Sequence, residues 1–468
     1  MSMYSDHESV HNVEAESAAL RKELTLFDVV LTQILYVVGL SWVGAAAKLG
    51  PSQIPFWLAA MALFYLPQAA VVIFLSRKFP LEGGLYQWTK ISLNRGIAFL
   101  VVWNLWLYAI VFLGTLGLTV ANAIVYAIGP AAQRLAGNHV YIGAVAGSLI
   151  GALVVISILG LGVSKWVHNV GAVLLLGAFA LLIVLPAINI FRGTLHEYHP
   201  MAMTAPAFTL LNVNIFGKLA VGALSGFEYV AVLAGEARDA KRTIARSVVI
   251  AAPVIALMFI LGTSAVQALV PLDRLDLVGP IPQAFRLGLG SAGAVAVFVP
   301  FAVFAATSRT VANSSVIFTA TTRMPMVAGW DRLMPAWFAK LHPRYRTPIN
   351  SIFFIAACSL VFAFLGMTNV GEQEAFQLLE TAAGVFYGVT YLVLFAIPMI
   401  GLPAPLWLRL LAVAGFATTA LYVALSIFPI VNVVSPLAFA LKISVLIVGA
   451  NAVGVLLYRS RSSHDTST

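Results

Sequence analysis

The chain has 468 residues, of which 61% are apolar and 10% are charged, and it carries a formal net charge of +9. A soluble domain needs roughly 25% charged residues to cover its surface, so this composition excludes an ordinary soluble enzyme and indicates a surface that faces lipid. The basic residues are spread over short loops, which argues against nucleic-acid binding. The single Cys358 excludes a disulfide within the chain.

In chain order, the sequence predicts a polar tail over residues 1–26, about twelve apolar stretches and a second polar tail over 459–468. Each stretch is long enough for the roughly 20 residues that cross a bilayer as a helix. Their mixed Leu, Val, Ala, Phe and Gly content lacks period-2 alternation, which favours an all-α polytopic membrane protein over a β-barrel. The predicted spans are 27–48, 53–76, 97–128, 140–160, 166–190, 207–234, 244–270, 292–321, 348–366, 374–398, 405–428 and 435–458.

The distribution of Lys and Arg predicts the orientation of these spans. With both termini in the cytoplasm, 19 of the 27 basic residues lie on the cytoplasmic side. The opposite side then holds five, which are Lys48, Arg134, Arg192, Arg274 and Arg286. Because positive residues are retained in the cytoplasm during insertion, we expect a protein of the cell membrane with cytoplasmic N- and C-termini.

Two spans carry a glycine beside a hydroxyl-bearing residue near mid-helix. Span 1 contains Gly39, and span 6 contains Ser225 and Gly226. An interrupted helix is tolerated in lipid where it lines a cavity, and paired interruptions in two halves of a chain point to a transporter's binding site. The alternative is that these glycines permit close helix packing. Such packing is what four-residue spacing predicts in span 4, at Gly143, Gly147 and Gly151.

Charged residues inside the spans are functional candidates, because each is costly in lipid unless it is paired or faces water. Glu228 and Arg309 are the acid and the base with the most central positions. Lys218 lies two turns before the break in span 6, and Glu380 lies in span 10 nearer the outside, so we expect both to line an outer vestibule. The sequence offers no nucleophile–base pair and no metal-ligand cluster, so we expect neither enzymatic activity nor a cofactor.

Three loop segments carry recognisable motifs. They are SRKFPLEGGLYQW at 76–88, SGFE at 225–228 continuing to AGEARDAKR at 234–242, and TRMP at 322–325 continuing to GWDRLMP at 329–335 and then to His342-Pro343 and Thr347-Pro348. In this order they resemble the amino acid–polyamine–organocation permeases, transporters with a LeuT-type inverted repeat. The resemblance implies two five-helix repeats over 27–190 and 207–398, with helices 1 and 6 broken and helices 11 and 12 (405–458) peripheral.

The resemblance also implies a substrate site between the two breaks, with walls from spans 3, 8 and 10. A substrate carboxylate would meet backbone amides of span 1, and its ammonium would meet carbonyls of span 6. The substrate-binding residues implied are Val38, Gly39, Leu40, Ser41, Ser225, Gly226 and Phe227. Gly222 stands where relatives often carry an aromatic gate, so we expect either a wider pocket or a gate supplied by Phe216 or Phe227.

Arg309 suggests a replacement for a bound sodium ion. It lies in span 8, with Asn313 one turn further, close to where sodium-coupled members of the fold hold their structural sodium. A guanidinium stays charged at any reachable pH, so it would tether span 8 to span 1 permanently. Glu228 would then be the group that changes protonation with access state. We predict a secondary carrier of amino acids or related amines that is independent of sodium and works by proton linkage or by exchange.

Span 1 departs from the family pattern, because Val37 and Val38 occupy positions where relatives carry small residues. β-Branched residues stiffen this backbone. The departure keeps polyamines, ethanolamine-like amines and small carboxylates open as alternative substrates. A nutrient sensor that binds without much flux ranks lower, because the two tails offer no signalling domain.

Overall fold

The computed structural model describes residues 24–79, 81, 84–228, 240–290, 297–330, 333–368 and 370–465. Most of the N-terminal tail therefore lies outside the described residues. So do parts of the three loop motifs, at 80, 82–83, 234–239 and 331–332. The predicted C-terminal tail is largely described, and it is helical as far as residue 465.

The described residues are mostly helical, and each predicted span overlaps at least one helix. In chain order the main helices are α1 Leu26–Val37, α2 Leu40–Ala47, α3 Gly50–Lys78, α4 Leu85–Ser92, α5 Arg95–Ile128, α6 His139–Leu159, α7 Leu161–Phe191, α8 Leu210–Ala223, α9 Ala240–Leu269, α10 Pro280–Leu289, α11 Phe298–Trp330, α12 Ile349–Gly366, α13 Glu372–Gly401, α14 Leu406–Leu425 and α15 Pro436–Asp465.

Nine helices within the described ranges are long and apolar enough to cross a membrane, and the bent pair of α1 and α2 makes a tenth. The exact count of twelve spans stays a prediction. The outward faces of these helices are apolar, as in α11, where Phe298, Phe301 and Phe304 are at least 60% exposed. Exposed apolar surface of this extent is what a lipid-facing helix requires.

The centre of the molecule lies along α5 and α13, which pack against each other. Within an apolar segment of 18 residues, 72% of the residues of α5 and 61% of those of α13 are buried. The corresponding buried fraction of α15 is 11%. Helix α1 packs against α7, α9 and α11.

The close-packing prediction for span 4 is wrong at two positions, because a side chain added at Gly147 or Gly151 would meet no atom within 4 Å.

The start of α1 is fixed by a capping box. The backbone N–H of Asp28 donates to the Thr25 hydroxyl, and the Thr25 backbone N–H donates to the Asp28 carboxylate at 2.9 Å. Such a pair satisfies two amides that a helix start leaves without partners. The same carboxylate accepts a 2.7 Å hydrogen bond from Asn169 of α7. The first half of span 1 is therefore held at its N-terminal end by its own cap and by α7.

Candidate substrate-binding site

Span 1 is interrupted halfway along its length. Helix α1 ends at Val37, α2 begins at Leu40, and the two axes are bent by 44°. The Val38 amide still donates to the carbonyl of Ile34 at 3.0 Å, whereas Gly39 is extended and no side chain caps α2. The first amides of a helix lack intrahelical partners and carry partial positive charge. The break therefore presents uncapped donors that suit an anionic group.

Arg309 of α11 occupies the other side of this break. Its Nε donates to the carbonyl of Leu35 at 3.1 Å, and its Nη2 donates to the carbonyl of Tyr36 at 2.9 Å. These carbonyls belong to the last turn of α1, where a helix leaves its acceptors unpaired and carries partial negative charge. The guanidinium thus donates a hydrogen bond to each of these two carbonyls and compensates the partial negative charge at the end of α1. It links α11 to α1, which is the contact expected from the resemblance to sodium-coupled members of the fold.

Span 6 is interrupted at Ser225 and Gly226. The last six residues of α8, Lys218–Ala223, form a wider π-helical turn before the helix ends. Gly226 has φ of +135°, a conformation that residues with a side chain rarely adopt, and a Cβ atom there would lie 2.3 Å from the ring of Tyr36. Glycine is therefore required here both by the backbone conformation and by the close approach of α1.

Protein side chains already satisfy several backbone groups at this second break. Gln68 of α3 donates through Nε2 to the carbonyl of Leu224, and the Ser225 hydroxyl donates to the carbonyl of Val221. The Gly226 amide donates to the Tyr391 hydroxyl at 2.8 Å. The carbonyl oxygens of Val221 and Leu224 are thus engaged within the protein, which limits what this break offers to a substrate ammonium.

Glu228 follows directly and is 1% exposed. Its carboxylate is hydrogen-bonded by the hydroxyls of Tyr387 and Tyr391, which lie one helical turn apart on α13. The Tyr391 hydroxyl also lies 2.7 Å from Oε1 of Gln68. Sequence reasoning missed both tyrosines, although their four-residue spacing in an apolar span was a signal that two hydroxyls share one face.

A layer of tyrosine hydroxyls connects Glu228 to the break in span 1. The hydroxyl of Tyr36 lies 3.2 Å from that of Tyr108 and 3.3 Å from that of Tyr387. The rings of Tyr108 and Tyr387 are stacked with centroids 4.3 Å apart. Tyr387 therefore links Glu228 to Tyr36 of α1 through hydrogen bonds, and the Tyr36 carbonyl in turn accepts from Arg309.

A cavity lies between the two breaks, walled by α1, α2, α5, α8, α11 and α13. Of the residues predicted for the site, those that line it are Gly39, Leu40, Ser41, Ser225, Arg309, Asn313 and Glu380. Those that do not line it are Val38, Gly226, Phe227, Glu228, Lys218 and Phe216. The predicted walls from spans 3, 8 and 10 correspond to the lining faces of α5, α11 and α13.

The aromatic side chain beside Gly222 comes from span 1. Trp42 of α2 lines the cavity, and a Cβ atom at Gly222 would lie 2.5 Å from its ring. Phe216 packs instead against Phe56 at 6.2 Å, and Phe227 packs against Tyr65 at 4.8 Å. Neither ring lines the cavity in this conformation, so a gating role for Phe216 or Phe227 stays a prediction.

The two predicted vestibule charges lie close together but differ in their surroundings. Glu380 lines the cavity, and its Oε1 accepts a 2.8 Å hydrogen bond from the Ser41 hydroxyl. Lys218 is 1% exposed, and its Nζ donates to the Thr381 hydroxyl at 2.9 Å. The carboxylate is thus accessible from the cavity, whereas the ammonium is buried behind it.

The amino acid permease family model matches residues 22–450. The chain belongs to this family. It is 26% identical to an uncharacterized transporter of Legionella pneumophila, with 80% of each chain covered. It is 23% identical to the branched-chain amino acid permease BcaP of Bacillus subtilis, covering 78% of this chain and 80% of that one. It is also 23% identical to the probable agmatine/putrescine antiporter AguD of Lactococcus lactis, over 58% of this chain and 57% of AguD.

Among solved structures, the fold is similar to that of MhsT in complex with L-phenylalanine. The TM-score is 0.61 at 12% sequence identity, and the match covers 86% of this chain and 98% of MhsT. This permease therefore has the LeuT-type fold that its loop motifs predict, with broken first and sixth helices. It is a multi-pass membrane transporter of the amino acid and polyamine permease group and not an enzyme.

Proposed function

We propose that this permease carries an amino acid or related amine through the cavity between its two breaks without using sodium. The observation that carries this proposal is the pair of hydrogen bonds from Arg309 to the carbonyls of Leu35 and Tyr36. The carbonyl end of a half-helix attracts a cation. A guanidinium that is always charged occupies that position permanently, so a sodium ion has no role left there.

Glu228 is the proposed coupling acid, and counting hydrogens around Tyr391 supports this role. The Tyr391 hydroxyl has one proton but two acceptor neighbours, Oε1 of Gln68 and Oε2 of Glu228, and it already accepts from the Gly226 amide. With Glu228 ionised, the Tyr391 hydroxyl can donate to only one of these two oxygens at a time. With Glu228 protonated, the acid can donate to Tyr391, which then donates to Gln68. The network around Tyr391 can therefore accommodate Glu228 in either protonation state, as a coupling acid requires.

The tyrosine layer gives this proton a path to the cavity. Tyr387 contacts Glu228 on one side and the Tyr36 hydroxyl, at 3.3 Å, on the other. Tyr36, Tyr108 and Tyr387 all line the cavity. Protonation of Glu228 is thereby linked to the wall that would contact the substrate. The uncapped start of α2 is the proposed partner of a substrate carboxylate, as the resemblance to the family implies.

The first experiment is a thermal-shift screen of the purified protein against amino acids and amines, because a ligand of the native state stabilises it by mass action. Uptake of the strongest binder is then measured in proteoliposomes with sodium or choline as the external cation. We expect equal uptake in both. Loss of uptake on replacing sodium by choline would show that Arg309 does not substitute for the ion.

The coupling role is tested in the same vesicles with Glu228→Gln, which keeps the hydrogen-bonding shape and removes the titration. Uptake should lose its dependence on pH, whereas Glu197→Gln, a change in a loop side chain that is 82% exposed, should leave it intact. Full pH-dependent uptake by Glu228→Gln excludes this residue as the coupling acid.

The proposed cytoplasmic position of the termini predicts that a tag fused after Thr468 is cleaved by added protease in inside-out vesicles only.

A further inference from the structure

Glu380 is the acidic side chain exposed to the cavity. It belongs to a face of α13 that also includes Ala383, Gly384 and Tyr387, at the spacing that brings residues to one side of a helix. Its carboxylate accepts one hydrogen bond, from Ser41. Among the described residues, no Lys, Arg or His nitrogen lies within 4.0 Å of it.

Two basic side chains, Lys218 and Arg309, are close enough to interact electrostatically with Glu380, but both donate their hydrogen bonds to other groups. Lys218 donates to Thr381, and the described contacts of Arg309 are to the two carbonyls of α1. An ionised carboxylate in a low-dielectric cavity is costly unless a cation pairs with it. Glu380 therefore has positive charges nearby but no direct ion-pair partner, so its carboxylate stays accessible to a cation that enters the cavity.

The residues around the cavity also include an acceptor without a partner. Oδ1 of Asn313 has no hydrogen-bond partner, and this side chain lines the cavity while being 2% exposed. The carbonyl of Leu224, which directly precedes the break in span 6, is already bonded to Gln68. An ammonium group, which is a compact donor of three hydrogen bonds, fits acceptors of this kind.

We propose that Glu380 binds the ammonium group of the transported molecule. This inference rests on the proposed function and deepens it, since it makes a primary amine the substrate class. The carboxylate of an amino acid is then an additional feature that α2 can accept, and amines without a carboxylate are substrates too. Glu380 acts by direct contact with the substrate, and Ser41 positions it.

The test uses ligands that share a skeleton and differ in charge. Thermal shift and uptake are measured with leucine, its decarboxylated amine 3-methylbutylamine, the deaminated acid 4-methylpentanoate and the diamine putrescine. We expect the ammonium-bearing ligands to bind and the acid not to bind. Glu380→Gln should weaken binding of the amines by about ten- to a hundred-fold, the usual effect of losing a charged hydrogen bond. Glu380→Asp should retain part of the affinity.

The matched control is Glu374→Gln, six residues earlier on α13, where a buried carboxylate accepts a hydrogen bond from the Val434 amide outside the cavity. It should bind amines like the unmodified protein. Equal amine affinity in the Glu380→Gln variant, binding of 4-methylpentanoate alone, no binding by any of the four ligands, or stabilisation by sodium that requires Glu380 would each overturn the proposal. If amines bind through Glu380 but are not taken up by proteoliposomes, the carrier function fails while the ammonium site stands.

Discussion

The guanidinium of Arg309 lies 2.9 Å from the carbonyl oxygen of Tyr36, so that a side chain of α11 closes the open end of α1. A second bond, to the carbonyl of Leu35, makes this a two-point contact. Because Tyr36 also takes part in the tyrosine layer, the contact joins the cation of the site to the hydroxyls around Glu228. Of the two half-helices of span 1, α1 is thus held at its end by Arg309, whereas α2 is held by its packing.

Replacing Arg309 by Met should reduce both stability and transport. Two buried carbonyls would lose their donors, at a cost of about 1–3 kcal/mol each. We expect a lower unfolding temperature and a loss of uptake for Arg309→Met, with an intermediate effect for Arg309→Lys, since an ammonium lacks the planar fork that reaches two acceptors. The control is Arg409→Met on the exposed start of α14. Unchanged uptake by Arg309→Met would remove the basis for sodium-independent transport.

Gly226→Ala should prevent substrate binding. The alanine would have to adopt the φ of +135°, and its methyl group would lie 2.3 Å from the ring of Tyr36. Backbone strain of this kind costs about 1–3 kcal/mol, and relief of the clash would displace α1. The matched control is Gly147→Ala in α6, where the same methyl group meets no atom within 4 Å.

Size-exclusion chromatography and thermal unfolding of both glycine variants check this prediction together with the ligand-induced shift. Gly147→Ala should keep that shift, whereas Gly226→Ala should lose it even where the protein remains folded. A Gly226→Ala variant that binds ligand normally would mean that the break in span 6 is not tightly constrained.

Both breaks could be predicted from the sequence, because each depends on a local signal, whereas the expected contact of Arg309 with span 1 came from the resemblance to the family fold. Gly39 and Gly226 are glycines in apolar spans, where an interruption needs a reason, and Arg309 is a central charge that must find acceptors. In contrast, the packing of Trp42 against Gly222 depends on how span 1 lies on span 6. Phe216 and Phe227 were expected at the gate because they are neighbours in sequence, and their rings turn to α3 instead.

The tyrosine layer was beyond sequence reasoning for a related reason. Tyr36, Tyr108 and Tyr387 belong to three different spans, and an aromatic residue in an apolar span normally reads as core packing. Their hydroxyls become a network only when α1, α5 and α13 converge. The same convergence places Glu380 at the cavity without a direct ion pair, which is a property of the assembled site that the sequence alone does not show.

Gly222→Ala should weaken substrate binding by moving Trp42. The new Cβ atom would lie 2.5 Å from the outer edge of the indole ring, which is the far end of a side chain and can rotate away. We therefore expect a folded protein with an altered cavity. In the double variant Gly222→Ala/Trp42→Ala the clash is gone, so the effects on affinity should be strongly non-additive. Additive effects would show that Trp42 does not occupy the space left by Gly222.

Removing each of the two hydroxyls around Glu228 in turn should show that Tyr391 contributes mainly to stability and Tyr387 mainly to the pH dependence of uptake. Tyr391→Phe deprives the Gly226 amide, the Gln68 side chain and Glu228 of a shared partner, so it should lower the unfolding temperature more than Tyr387→Phe, which removes contacts to Glu228 and Tyr36. Tyr387→Phe interrupts the link between Glu228 and the cavity. It should therefore leave ligand-induced stabilisation largely intact while flattening the pH dependence of uptake.

The control for both variants is Tyr141→Phe, which deletes a hydroxyl that donates to the Ala121 carbonyl at 3.3 Å, away from the cavity. It should keep the pH profile and nearly all of the stability. If Tyr387→Phe retains a normal pH profile, protons reach Glu228 without passing the tyrosine layer, and the geometry around Gln68 and Tyr391 then becomes the remaining route. If both variants unfold equally easily, the three-partner role of Tyr391 is wrong, because the loss of more buried hydrogen bonds must cost more.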